Sequence, residues 1–232
     1  MERRDIMKSI VTLTEVNKTY HGLSTPTKAL QNCSLKIMPS TFSCIIGKSG
    51  CGKSTLLNAI GGLISVDSGS ILVKDHELTK LDQRELSRFR REHIGFIFQF
   101  FNLLQEQTVM ENLMLPFDLN GERVDQAFVN EVIQYLDLNK LVDKFPFELS
   151  GGEQQRVSIA RAVIRKPDII LADEPTGNLD RENTKQVMNL LKECQAMYSQ
   201  TIIMVTHDID LAKRADALIY MEDGQVKRYE TS

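Results

Sequence analysis

Residues 47–54 read Gly-Lys-Ser-Gly-Cys-Gly-Lys-Ser, with the apolar run Phe42–Ile46 directly before them and Thr55, Leu56, Leu57 and Ile60 directly after. The pattern is G-x-x-x-x-G-K-[ST] set between a strand and a helix. Three glycines let the backbone wrap closely around oxygen atoms, because no Cβ stands in the way. The N–H groups of the turn and the positive end of the following helix then favour a bound anion. Lys53 is placed to reach the β- and γ-phosphates of a nucleotide, and Ser54 to ligate Mg²⁺. A glycine-rich turn that merely joins strand to helix is the competing reading, and the Lys-Ser ending in this context argues against it. Cys51 reads as a small filler, or as a thiol whose pKa the helix N-terminus lowers. The loop by itself specifies only nucleotide binding, since GTPases, nucleotide kinases and motor ATPases share it.

The chain around the loop alternates strands and helices. Ile10–Val16 alternates as a strand, with Val11 and Leu13 on one face, and Ala29–Ile37 follows after a polar loop over residues 21–27 that contains Gly22 and Pro26. The middle, from about Asp82 to Arg165, reads as largely helical; Phe128, Val129, Val132, Ile133 and Leu136 recur at helical spacing. Ile169–Ala172 suits a strand buried on both faces. A helix with Val187, Leu190, Leu191 and Cys194 on one stripe follows, then a second buried strand, Thr201–Val205. This β-α-β order implies a parallel sheet with a right-handed crossover. Ala217–Met221 and Gln225–Lys227 flank Glu222-Asp223-Gly224 as a terminal hairpin, after which no C-terminal regulatory domain is expected.

Two further groups stand at strand ends. Ile169–Ala172 runs into Asp173 and Glu174. Ligands of open parallel sheets sit at the carboxyl ends of strands. Asp173 is therefore placed to hold Mg²⁺ and Glu174 to orient or deprotonate the water that attacks a γ-phosphate. An acidic strand end facing solvent is the bland alternative. His207 ends the next strand, where it could hydrogen-bond the γ-phosphate or position the water and Glu174. His21, His76 and His93 lack such a context.

Leu149-Ser150-Gly151-Gly152-Glu153-Gln154-Gln155-Arg156 is first a helix start. Ser150 and Glu153 form a capping box, and Val157, Ala160 and Ile164 continue a helical stripe. It reads equally as a well-capped structural helix or as a second anion site with exposed N–H groups at the positive end of the dipole. The segment resembles the signature motif of the ATP-binding cassette (ABC) ATPases, and the resemblance covers almost the whole chain in the family's order. Tyr20 matches the aromatic residue that stacks on adenine, and Gly47, Lys48, Ser49, Gly50, Cys51, Gly52, Lys53, Ser54 and Thr55 match the Walker A loop. Gln99 matches the Q-loop glutamine, Asp173-Glu174 the Walker B pair, Asn178-Leu179-Asp180 the D-loop and His207 the switch histidine.

The resemblance implies an α/β fold, a P-loop NTPase cassette with a RecA-like core, an antiparallel β subdomain and an inserted α-helical subdomain at about 82–165, all within one domain over residues 1–232. It implies that two copies pair head to tail around two ATP. Ser150 and Gly152 of one copy then contact the γ-phosphate held by the other, Gly151 and Glu153 complete the nucleotide-binding set, and Asp180 lies near the partner's phosphate loop. Glu174, His207, Gln99 and Lys53 become the catalytic set; Ser54, Gln99 and Asp173 become the Mg²⁺ set. Gln99 also links the site to a membrane partner. Lys48 stands where many relatives have proline and Glu153 where many have glutamine. The stretches Ile94–Leu104 and Ala172–Asp180 resemble the bacterial group of macrolide exporters, lipoprotein-release systems, bacitracin-type resistance transporters and a cell-division ATPase.

Composition narrows the class only by exclusion. The balance of 28 basic and 31 acidic side chains, a net charge of −3, gives no bulk reason to expect a nucleic-acid partner. No apolar run approaches the roughly 20 residues that span a bilayer. The charged start Met1-Glu2-Arg3-Arg4-Asp5 lacks the apolar stretch of a secretory signal. Cys33, Cys44, Cys51 and Cys194 form no C-x-x-C pair and read as reduced thiols. The expectation is a cytoplasmic subunit held at the inner membrane face by a separate permease. Arg84, Glu85, Arg88, Arg90, Arg91 and Glu92 read as a solvated helix face, with permease or lipid docking as the weaker alternative. A cell-division ATPase signalling through a membrane partner and a soluble non-transport ABC ATPase stand as alternatives. A kinase or GTPase is disfavoured by the signature and by Glu174 with His207.

Overall fold

The structure is a computed structural model that describes residues 8–21, 25–118 and 123–231. The charged N-terminus and Gly22 lie outside the described residues. The chain forms two compact units: one takes it up to Arg88 and again from Val205, the other is Phe89–Met204.

In the first unit, β1 (Val11–Tyr20) lies between β2 (Thr27–Ile37) and β4 (Ser68–Val73), antiparallel to both, and β5 (His76–Glu77) pairs with the far edge of β4. Val11 and Leu13 are buried as the alternation predicts. The alternation then breaks, because one extra residue sits between Leu13 and Val16, where Glu15 adopts φ 49°. Such a bulge reverses which face the following residues take, so Val16 is buried and Glu15 exposed. Asn17 closes the irregularity: its Nδ2 donates to the Glu15 carbonyl at 2.8 Å and its Oδ1 accepts from the Asn32 N–H at 2.9 Å. The strand therefore runs four residues past the expected Val16. The β4–β5 pair is an addition to the expected elements.

The same unit carries β3 (Phe42–Ile46), buried along its whole length. It pairs in parallel with β9 (Ala217–Glu222), which turns back into β10 (Gln225–Thr231) as the expected hairpin. Asp223 and Gly224 take φ 48° and 76°, the left-handed pair that a two-residue hairpin turn requires. Helix α1 (Lys53–Ile60) follows β3 and buries Leu56, Leu57, Ala59 and Ile60.

In the second unit, β6 (Ile94–Ile97) pairs in parallel with β7 (Ile169–Asp173), and β8 (Thr201–Thr206) is the other neighbour of β7. Among the described residues four α-helices fall in the stretch expected to be helical: α2 (Gln83–His93), whose residues up to Arg88 belong to the first unit, α3 (Val109–Asp118), α4 (Gln126–Tyr135) and α5 (Gly151–Val163). β6 interrupts them, because a run of four apolar residues cannot be told from a buried helical turn by periodicity. α4 buries Phe128, Val129, Val132 and Ile133, as its spacing predicts. Helix α6 (Arg181–Tyr198) buries Val187, Leu191 and Cys194, while Met188 replaces the half-buried Leu190 in the stripe. α5 packs on β6, and this contact explains Gly95: a Cβ there would come closer than 3.0 Å to the Ala162 carbonyl oxygen. The loop before β7 is tied by a 2.7 Å bond between His93 Nδ1 and Asp168 Oδ2, and Thr201 N–H donates to the Asp168 carbonyl at 3.0 Å.

Candidate functional site

The glycine-rich loop between β3 and α1 is shaped by backbone contacts. Gly50 and Gly52 take φ 77° and 101°, conformations that strain any residue with a Cβ. A Cβ on Gly47 would collide with the Met221 carbonyl, and one on Gly52 with the Ala29 carbonyl. Gly50 has open space around it, so only its backbone conformation demands glycine there. The Gly224 N–H donates to the Cys51 carbonyl at 3.0 Å, and Gln31 N–H donates to Gly224 at 2.9 Å. The terminal hairpin and β2 thus brace the loop from behind. Cys51 is buried, in keeping with the small-filler reading.

Lys53 opens α1 and is only 7% exposed. Its ammonium donates to the Gly47 and Lys48 carbonyls, each at 2.9 Å. A buried cation is tolerated because these bonds replace water. The charge is thereby held against the loop. Ser54 is exposed at the same helix start, and Thr55 is half-buried. Tyr20, at the end of β1, is 43% exposed, with Lys18 Nζ 5.5 Å from its ring centre. His207 is exposed directly after β8. Asp208, which follows it, caps the next turn by accepting from the Asp210 and Leu211 N–H groups at 2.9 and 3.2 Å.

The second unit holds the carboxylates. Asp173 ends β7 and is half-buried, as is Glu174. Glu174 adopts φ 47°, a left-handed conformation unusual for a residue with a long side chain. It begins a tight turn in which Gly177 N–H donates to the Glu174 carbonyl at 3.0 Å. Gln99, just beyond β6, lies against this turn: the Asn178 amide donates to its carbonyl at 2.9 Å. A Cβ on Gly177 would come within 3.1 Å of the Gln99 side-chain nitrogen. The structure therefore brings Gln99 together with the segment that carries Glu174.

At the start of α5 the capping box forms as expected, with Ser150 N–H donating to Glu153 Oε2 at 2.7 Å and Glu153 N–H to Ser150 Oγ at 3.3 Å. The Ser150 hydroxyl, and next its N–H, hold the Glu153 carboxyl below the usual carboxylate range. That carboxylate thus serves the cap. The two signature glycines differ. Gly151 is exposed, and a Cβ on it would meet only ordinary contacts. Gly152 is buried against the Asn183 amide. Asp180 caps α6, accepting from Asn183 N–H at 2.8 Å and from Asn183 Nδ2 at 2.9 Å. The backbone bond from Asn183 is the main reason that its carboxyl titrates low.

Three supporting residues were not legible in the sequence. Asn183 links Asp180 to Gly152. Arg161, whose burial lowers its pKa, donates to the Phe101 and Asn102 carbonyls at 3.0 and 2.7 Å and so holds the chain after Gln99. Asn112, fully buried, accepts from Leu104 N–H at 2.8 Å and donates to the Leu104 carbonyl at 3.0 Å. None lies in a recognisable pattern; the signal was a polar residue on an otherwise apolar helix face.

A family model described as "ABC transporter" matches residues 30–177, more than half of the chain. The chain belongs to the ABC transporter family. A lipoprotein-releasing system ATP-binding protein, LolD, of Colwellia psychrerythraea is 37% identical, over 95% of this chain and 86% of its own length. The bacitracin export ATP-binding protein BceA of Halalkalibacterium halodurans is 38% identical over 94% of this chain and 87% of its own. Among solved structures, the cassette MJ0796, from Methanocaldococcus jannaschii, superposes with a TM-score of 0.87 at 39% identity. The match covers 95% of this chain and 98% of that one. That structure is described as dimeric, in a post-hydrolysis state bound to ADP and Pi. The mixed α/β cassette fold is thereby shown. No helix among the described residues of this ABC protein is long and apolar enough to cross a membrane.

Proposed function

We propose that this chain is the ATP-binding and hydrolysing subunit of a bacterial ABC transporter, pairing with a second copy around two ATP to drive a separate transmembrane permease at the inner membrane face. The observation that carries the hydrolytic reading is Glu174: it follows the end of β7 in a left-handed conformation, with Gln99 lying on its turn. Backbone strain of this kind costs about 1–3 kcal/mol and is retained where it aims a functional group.

The chemistry follows from the residues. The loop N–H groups and Lys53 hold the β- and γ-phosphates and take up charge as the bond to the leaving ADP lengthens. Glu174 accepts a proton from water as the water attacks the γ-phosphorus. His207 donates to the γ-phosphate oxygens. Tyr20 stacks on adenine. Ser150, Gly151 and Gly152 present N–H and hydroxyl donors to the γ-phosphate held by the second copy, and Asp180 lies beside that copy's phosphate loop. Ser54, Asp173 and Gln99 offer the hard oxygen donors that suit Mg²⁺. Among the described residues no cluster of three or more His, Cys, Asp or Glu could hold a metal alone. When bound, Mg²⁺ would neutralise charge on the β- and γ-phosphates.

Support for a protein partner lies beside Gln99, where Phe100 is 72% and Leu104 41% exposed. Exposed apolar groups next to a polar loop suit a protein contact. The similarity to LolD and BceA supports a cargo of lipoprotein, peptide or antibiotic.

The test is size-exclusion chromatography with ATP and Mg²⁺. Ser150→Arg is expected to abolish ATP-induced dimers while monomeric nucleotide affinity stays within about twofold, because the side chain obstructs only the face offered to the second copy. Unaltered dimer formation would remove Ser150 from the partner's site.

A further inference from the structure

We infer that Asn183 is a positioning residue that ties the signature helix and the D-loop into one rigid element, and that Gly152 is glycine to admit the Asn183 amide. This rests on the reading above, in which Ser150 and Asp180 both act on the nucleotide of a second copy.

Three observations converge. Both oxygens of Asp180 are held by the same residue, Oδ1 by the Asn183 N–H at 2.8 Å and Oδ2 by its Nδ2 at 2.9 Å. The other end of that amide lies against Gly152: a Cβ there would fall closer than 3.0 Å to both Oδ1 and Cγ of Asn183. Gly152 is buried, whereas Gly151, one residue earlier, is exposed and meets nothing tighter than 3.8 Å. A Cβ on Gly151 would meet only ordinary contacts, whereas one on Gly152 would run into the Asn183 amide of α6, so the lack of a side chain at Gly152 serves that amide while its backbone N–H still serves the signature. One amide therefore orients the Asp180 carboxylate with its nitrogen and seats the first turn of α5 with its oxygen. A shift of either element moves the other, so the two groups aimed at a second copy keep a fixed spacing.

The experiment is a double-mutant cycle in the Glu174→Gln background, read as the ATP-dependent dimer dissociation constant by analytical ultracentrifugation. Monomer nucleotide affinity and Tm are measured alongside. Loss of one such hydrogen bond corresponds to about 3- to 10-fold, so Asn183→Ser is expected to weaken dimerisation by that factor with monomer ATP affinity unchanged. Gly152→Ala, which forces the amide aside, is expected to weaken it by more than about tenfold. In the double variant the added methyl has room, and the constant is expected to return to within about twofold of Asn183→Ser alone. If the double variant stays as weak as Gly152→Ala, the glycine serves the nucleotide directly and the inference falls. It falls also if Asn183→Ser dimerises like its parent.

Should Gly152→Ala fail to fold, Asn183→Asp decides. It keeps the size but sets a second carboxylate against Asp180, and like charges raise each other's pKa. Dimerisation should weaken at about pH 7 and recover towards about pH 5 relative to the Glu174→Gln parent, as one of the two carboxylates takes up a proton, a profile that simple loss of packing would not produce; a profile parallel to the parent's overturns the inference. A parent that does not dimerise with ATP at all would instead overturn the function proposed above.

Discussion

Glu174 and Lys53 show what single residues contribute. Their identities and spacing are legible in the sequence, but not that Glu174 is backbone-strained or that Lys53 is already bonded to two loop carbonyls. Those facts depend on tertiary contacts that no local pattern encodes. The cysteines allow a pH test at the same scale. Burial pushes the Cys33 thiol up to about 11 and Cys194 up to about 12, from 9.0. A group whose folded pKa is raised contributes stability that is complete below its unfolded pKa and is lost as pH rises through the folded value. The urea midpoint should therefore hold to about pH 9 and fall between pH 9 and the folded values near 11 and 12. In a Cys33→Ala, Cys194→Ala variant the alkaline decline should be shallower. An equal decline would assign it to Tyr135 and Tyr198, whose phenols burial also pushes up.

Elements were legible where apolar pattern and turn chemistry agreed. β3 falls on the residues expected, because its apolar run is bounded by the loop glycines. The terminal hairpin follows from Asp223-Gly224. β4 begins with the polar Ser68-Gly69-Ser70 and so carried no strand signal. β1 outruns its expected end at Val16 because the bulge at Glu15 breaks a period of two. β6 was hidden by its brevity between helices. The β6–α5 contact gives the sharpest element-scale prediction. Gly95→Ala places a methyl against the Ala162 carbonyl, which must move. Overpacking of this kind costs about 1–3 kcal/mol, and for a chain of this size each kcal/mol lowers Tm by about 2–4 °C. Differential scanning calorimetry should show the loss; an unchanged Tm would mean that α5 does not press on β6.

At the scale of the whole molecule, the phosphate loop and the signature lie in different compact units of the chain. In the proposed dimer, each copy supplies the loop for one ATP and the signature for the other, so turnover depends on protein concentration as well as on ATP. On the proposed reading net charge says little, because the groups assigned to ATP are a few donors and two carboxylates.

The most direct test is Glu174→Gln, with phosphate release and ATP-dependent dimerisation measured on the same preparation. Loss of a general base costs roughly 10²–10⁴ in rate. Turnover is expected to fall by at least that lower factor while ATP still drives dimers that persist without hydrolysis. Near-parental phosphate release from the variant, or failure to dimerise with ATP, would contradict it.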